Sequence, residues 1–263
     1  MNGIIYALLG TVFTFLVTTL GAGNIFLVKR NVNQNVQCLF LGFAGGVMVA
    51  ASIWSLLLPG IEEAENNGQI GWLITAGGFV LGVLLLLLAD YFLKKRFRGL
   101  ELSGRSSSLS KKTTMLVLAV VVHNIPEGMA VGLAFALAME HPADVTLFSG
   151  AIALAIGIGI QNYPEGMAVT LPLLREGISK KKAFMIGSLS AIVEPVFGVA
   201  AAALAGVVEG IMPLFLAFAA GTMIYVVVEE LIPEAHLGEK ENIGTLGFIM
   251  GFVVMMILDV ALG

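Results

Sequence analysis

Charge is scarce in this chain: 12% of its 263 residues are Asp, Glu, Lys or Arg, against about a quarter in a soluble domain. With 58% hydrophobic residues and a mean hydropathy of +0.96, too little polar surface is left to face water. Cysteine is nearly absent. Cys38 is the single one, which excludes an intramolecular disulfide and a zinc-finger type of thiolate cluster and leaves the redox compartment open. Positive charge is missing from Met1-Asn2-Gly3, and the apolar run behind it is long enough to span rather than be cleaved, so no signal peptide is expected. The net charge of -4 hides a strong asymmetry along the chain and points to no nucleic-acid partner.

What is present instead is apolar sequence in long runs. A helix needs about 20 mostly apolar residues to cross the hydrocarbon core. Eight segments qualify: Gly3 to Val28, Val36 to Leu58, Gln69 to Leu93, Thr113 to Met139, Asp144 to Leu174, Lys182 to Val207, Ile211 to Ile232 and Ile243 to Leu262. The expectation is an all-α integral membrane protein, with residues 1–263 as a single transmembrane domain and the lipid bilayer as its surroundings.

All fourteen basic residues fall in, or at the edge of, odd-numbered connections, whereas the even ones hold Glu62, Glu63, Glu65, Glu140, His141, Asp144 and Glu209. Basic residues in short loops stay in the cytoplasm, so both termini are expected outside. The third connection, residues 94–112, is basic and carries Ser106-Ser107-Ser108, which reads as a flexible cytoplasmic linker. Asp90 and Asp259 sit near span ends, where snorkelling or capping accounts for them.

One motif appears twice. His123-Asn124-Ile125-Pro126-Glu127-Gly128-Met129-Ala130-Val131 lies in the fourth span and Gln161-Asn162-Tyr163-Pro164-Glu165-Gly166-Met167-Ala168-Val169 in the fifth, with seven of nine positions identical. Consecutive spans run in opposite directions, so the repeat is inverted, and inverted repeats build transporter sites near the midplane. An ionisable group at that depth costs several kcal/mol and marks function unless it is paired. His123 with Glu127, and Gln161 with Glu165, are four residues apart and so share a helical face. Pro126 and Pro164 each remove a backbone donor, and Gly128 and Gly166 permit close approach of a neighbouring backbone.

Imidazole, carboxylate and amide oxygen together suit Zn²⁺, with Fe²⁺, Mn²⁺ and Cd²⁺ as further candidates. Two carboxylates offset the charge of a divalent ion brought into low dielectric. Glu194, before Pro195 in the sixth span, adds a third acid, and with Asn124 and Asn162 it supplies ligands for a second ion bridged by Glu127 and Glu165. Glu229, Glu230 and His236 form a cluster at the inner end of the seventh span, read as an exit path for the metal, with solvated helix-end residues as the plain alternative. Glu62, Glu63 and Glu65 read mainly as a solvated face. The bland account of the two motifs is a pair of Pro-kinked helices whose polar groups bond each other, and the duplication argues against it.

HNxPEG in the fourth span with a second PEG in the fifth resembles the ZIP (Zrt/Irt-like) metal transporters, in particular their GufA-like branch. The resemblance covers essentially the whole chain. It implies eight helices in a three-two-three arrangement with inverted symmetry, and import of zinc and related ions through the plasma (inner) membrane into the cytoplasm. It also implies one metal site at His123, Glu127, Gln161 and Glu165 and another at Asn124, Glu127, Asn162, Glu165 and Glu194. The metal is cargo on this reading, and no cofactor is expected. Many members carry His where Gln161 stands and a His-rich third loop, and this chain has neither.

The rival function is an intramembrane metal-dependent hydrolase, in which the ion activates water. No HExxH and no Ser-His arrangement within the membrane supports it. A proton- or sodium-coupled carrier of an organic solute is a third reading. Thirty-two glycines allow tight helix packing within one copy or between two, so a homodimer is among the expected partners.

Overall fold

The computed structural model describes residues 2–27, 34–102, 111–140, 142, 145–235 and 242–262. It contains eight helices long and apolar enough to cross a membrane: α1 Gly3–Phe26, α2 Cys38–Asn66, α3 Gly71–Lys95, α4 Thr113–Met139, α5 Val145–Arg175, α6 Lys180–Ala203, α7 Met212–Glu234 and α8 Ile243–Ala261. No strand occurs among the described residues. An even number of crossings returns the chain to the side where it began, so the two termini share one end of the bundle.

Two boundaries differ from the sequence expectation. The acidic segment after Leu58 continues α2 to Asn66 rather than forming a loop, because Pro59 falls in the first turn of that last helical stretch, where its missing N–H breaks nothing. The helix of α3 runs on to Leu102, past the expected boundary at Leu93, since Lys, Arg and Leu are good helix formers and an Asp90–Lys94 ion pair at 2.6 Å braces the turn. The linker is therefore shorter than residues 94–112. Asp90 thus has a lysine partner one turn on. Between α5 and α6 the chain turns at Gly177, whose φ of +82° favours glycine, and Ser179 caps α6 by accepting from the Lys182 amide at 3.4 Å.

The helices pack in two groups. In the first, α1, α4, α5 and α6 contact one another; in the second, α8 lies along α2 and α7 along α3, with α2 also against α7. Glycines set these contacts. On α2, Gly42 and Gly46 face the backbone of α8, and Gly247 and Gly251 of α8 face Leu39 and Phe43 in return, so reciprocal four-residue spacings let the two axes approach. The groups meet where α4 touches α7 and α5 touches α2. Burial follows from this placement: α4 is the most enclosed of the eight helices and α3 and α8 the least, their exposed Leu81, Leu84, Leu88 and Ile257 suiting lipid contact.

Candidate metal centre

The two repeated motifs lie on neighbouring, oppositely directed helices, and each remains helical through its proline. Close approach comes from the glycine after each glutamate. A methyl on Gly128 would collide with the backbone of Glu194 on α6, and one on Gly166 with the Thr18 carbonyl and the Ala22 amide of α1. The smallest residue in each motif therefore docks a further helix against the site.

The structure fully buries His123, Asn124, Glu127, Gln161, Asn162, Glu165 and Glu194, each at most 1% exposed. His123 Nε2 lies 3.2 Å from Glu165 Oε2, and Gln161 Nε2 donates to Glu127 Oε1, so each motif reaches across to the other. One ligand atom from each of His123, Glu127 and Glu165 can be chosen so that all three lie within 4.8 Å of one another. Four-coordinate zinc holds its ligand atoms about 3.3 Å apart, so a small contraction would suit the ion.

Glu194 owes its position to a break in α6. The helix stops at Ser190 and restarts at Val193, with Pro195 in the new first turn. Asn124 Nδ2 donates to the Ser190 carbonyl at 3.4 Å, and Asn162 Nδ2 donates to Glu194 Oε1 at 3.0 Å. The sequence reading found the acid and missed its support from α1, where Thr11, Thr14 and Thr18 are fully buried and Thr14 lies beside the Glu194 carboxylate. Their spacing of three and four residues marks one helical face, which was the signal available.

Several buried oxygens here have no hydrogen-bond partner: Asn124 Oδ1, Glu127 Oε2, Gln161 Oε1, Asn162 Oδ1, Glu165 Oε1 and Glu194 Oε2. Each orphan costs about 1–3 kcal/mol, more when charged. One cluster of acceptors with so few donors fits a cation as the missing partner. The donor set, imidazole with carboxylate and amide oxygens, is the borderline set that suits Zn²⁺.

The two described members of the expected exit cluster differ in exposure. A wide helical turn, Val227–Leu231, buries Glu230 and leaves its neighbour Glu229 exposed. Glu230 lines a small gap with Thr113, Leu116, Pro172, Leu231 and Glu234. His236 lies outside the described residues. Across the same end, Arg175 of α5 pairs with Glu234 of α7 at 2.6 Å, joining the two helix groups.

At the end carrying the termini the groups are parted by a cavity of about 400 Å³. Leu133, Ala134 and Leu154 line it from α4 and α5, and Trp54, Leu216 and Leu258 from α2, α7 and α8. It reaches inward to Ala130 and Ile158, one turn from Glu127 and Gln161. Glu63 and Asp259 also line it. Asp259 is more than a helix-end residue: its Oδ1 accepts from Ser55 Oγ at 2.7 Å, tying α8 to α2.

Residues 101–259 match the ZIP Zinc transporter family. The chain is 37% identical to "Zinc transporter ZIP11" of Homo sapiens over 340 aligned residues, covering 100% of this chain and 98% of the relative. It is 36% identical to "Zinc transporter ZIPB" of Bordetella bronchiseptica, covering 98% and 82%. With "Zinc transporter GufA" of Myxococcus xanthus it shares 34% identity, covering 90% and 91%.

Proposed function

The chain belongs to the ZIP zinc transporter family, and from that premise we propose that it carries zinc through the membrane at the site where its two inverted motifs meet. It transports divalent metal ions and is not an enzyme; relatives along its full length are named zinc transporters, which removes the hydrolase reading. The observation that carries the site assignment is the cluster of partnerless buried acceptors around His123, Glu127 and Glu165.

On this reading His123 Nε2, Glu127 Oε2, Gln161 Oε1 and Glu165 Oε1 hold one ion. Asn124 Oδ1, Asn162 Oδ1 and Glu194 Oε2 serve a second, with Glu127 and Glu165 shared between the two. Imidazole must be neutral and the carboxylates ionised to bind, so metal capture is coupled to proton release. Fe²⁺, Mn²⁺ and Cd²⁺ share this donor preference and are further substrates.

The direction is inward, with both termini outside, the basic connections in the cytoplasm and the plasma membrane as the location. In this orientation the cavity beside Glu63 and Asp259 opens the site to the outside, while Arg175–Glu234 and the packing around Leu116 and Leu231 close the inner end. Glu229, Glu230 and His236 then receive the ion as it leaves. The three-two-three arrangement about the repeat belongs to the same reading, as does a homodimer, which crosslinking in native membranes checks.

The test is Zn²⁺ uptake into proteoliposomes enclosing a zinc dye, at equal reconstitution of wild type, Glu127→Ala and Glu165→Ala. Uptake is expected in wild type and lost in both variants. Wild-type rates in both variants would remove these residues from the site, and no uptake by wild type in either orientation would remove the transport reading.

A further inference from the structure

The cavity at the termini end is wider than passage of a single ion needs. It holds about 400 Å³, and aliphatic side chains such as Leu133, Leu154, Ile158, Leu216 and Leu258 make up most of its wall. That volume falls in the range of organic-ligand pockets, roughly 300–1,000 Å³, whereas a metal ion needs only its ligand shell. Its charged wall residues are Glu63 and Asp259, and no Lys or Arg among the described residues lines it. Asp259 Oδ2 is buried without a hydrogen-bond partner among the described residues, and its other oxygen is held by Ser55. Trp54 adds an indole ring fixed edge to face against Phe252, their centroids 5.7 Å apart. Apolar walls, acids of a single sign and one oriented aromatic ring are the elements that recognise an amphiphilic cation.

We propose that this cavity is a binding site for lipophilic monoamines, taking the protonated nitrogen at Asp259 and the hydrocarbon body between α4–α5 and α2–α7–α8. Such a ligand fills the space between the two helix groups and lies across the route to Glu127 and Gln161. It therefore slows zinc uptake, a consequence that rests on the transport reading above, whereas binding itself does not.

The test measures binding in the purified full-length chain carrying Trp72→Phe, which leaves Trp54 as the only tryptophan. The probe is 4-(4-bromophenyl)butylamine, whose bromine quenches indole fluorescence on contact, and the comparison ligand is the matching neutral alcohol. Quenching by the amine is expected to saturate at a concentration about tenfold lower than quenching by the alcohol, as a charge-assisted hydrogen bond requires. Asp259→Asn is expected to remove that tenfold preference and leave the alcohol curve unchanged. Ala134→Phe, which occupies the cavity without touching the acid, is expected to abolish saturation for both ligands. Identical, non-saturating quenching by amine and alcohol in all three proteins would mean partition into detergent only and would overturn the proposal. Saturable binding with undiminished zinc uptake would overturn the inhibitory step alone.

Discussion

Gly128→Ala tests whether helix contact, and not ligand chemistry alone, sets the geometry of the site. The added methyl carbon would lie 2.5 Å from Glu194 Cα and 2.8 Å from its carbonyl carbon, and still closer to the carbonyl oxygen. Ordinary van der Waals contact begins near 3.4 Å. All three atoms are backbone, so no rotamer change relieves the overlap and α4 and α6 must part by about 1 Å. Overpacking of this kind costs about 1–3 kcal/mol, partly offset by the gain of about 1 kcal/mol for Ala over Gly within a helix. The protein should therefore still insert and fold. The same displacement moves Glu194 from Asn162, 3.0 Å away, and strains the 3.4 Å bond from Asn124 to Ser190. Misplacement by 1 Å can cost on the order of a hundredfold where positioning is decisive, so zinc uptake in the dye-loaded vesicles should fall by about ten- to a hundredfold. Gly77→Ala is the matched control, since a methyl there meets nothing within 4 Å. Equal uptake by Gly128→Ala and Gly77→Ala would refute the argument that this glycine holds Glu194 in the site.

Other substitutions probe separate parts of the centre. Asn162→Leu removes the donor to Glu194 Oε1, a loss of about 1–3 kcal/mol; equilibrium dialysis should then show zinc stoichiometry falling from two to one per chain, and an unchanged ratio would count against the second ion. Gln161→His replaces an amide oxygen with imidazole, so zinc affinity in the same assay should rise by about tenfold, and an affinity at or below wild type would show that position 161 does not contact the ion. Arg175→Gln breaks the pair with Glu234, whose side chains are 44% and 28% exposed; a partly solvated pair contributes about 0–1 kcal/mol, so uptake should change by less than about fivefold, and complete loss would mean that this pair does more than join the helix groups.

Span number and the meeting of the two repeated motifs were largely legible beforehand, for different reasons. Apolar length is a local property, and six of the eight helices lie within a few residues of their expected limits; α2 runs eight residues past Leu58 and the helix of α3 continues past Leu93 to Leu102. The duplicated glutamates were legible because packing alone gives no reason to repeat a costly buried charge in identical company. Legibility failed where a residue's role depends on a partner distant in sequence. Asp259 looked like a helix-end residue until Ser55, 204 positions away, was found against it. Thr11, Thr14 and Thr18 carry no signal of their own beyond spacing, and which of Glu229 and Glu230 is buried depends on what packs against α7 at that turn.

By itself the sequence determined that the chain has eight segments long and apolar enough to cross a membrane, that the fourth and fifth each carry an acid in the same motif, and that a glycine follows each acid. Hydropathy and helical periodicity suffice for these, since both act over a few turns. Only the tertiary structure decided that a break in α6 brings Glu194 against Asn162, that Gln161 turns its amide toward Glu127, and that α4 and α5 pack with α1 and α6 while a cavity parts them from the other group at one end. Those outcomes depend on which helix surfaces approach most closely, and the complementary surfaces are formed by residues more than a hundred positions apart, such as Thr18 and Gly166.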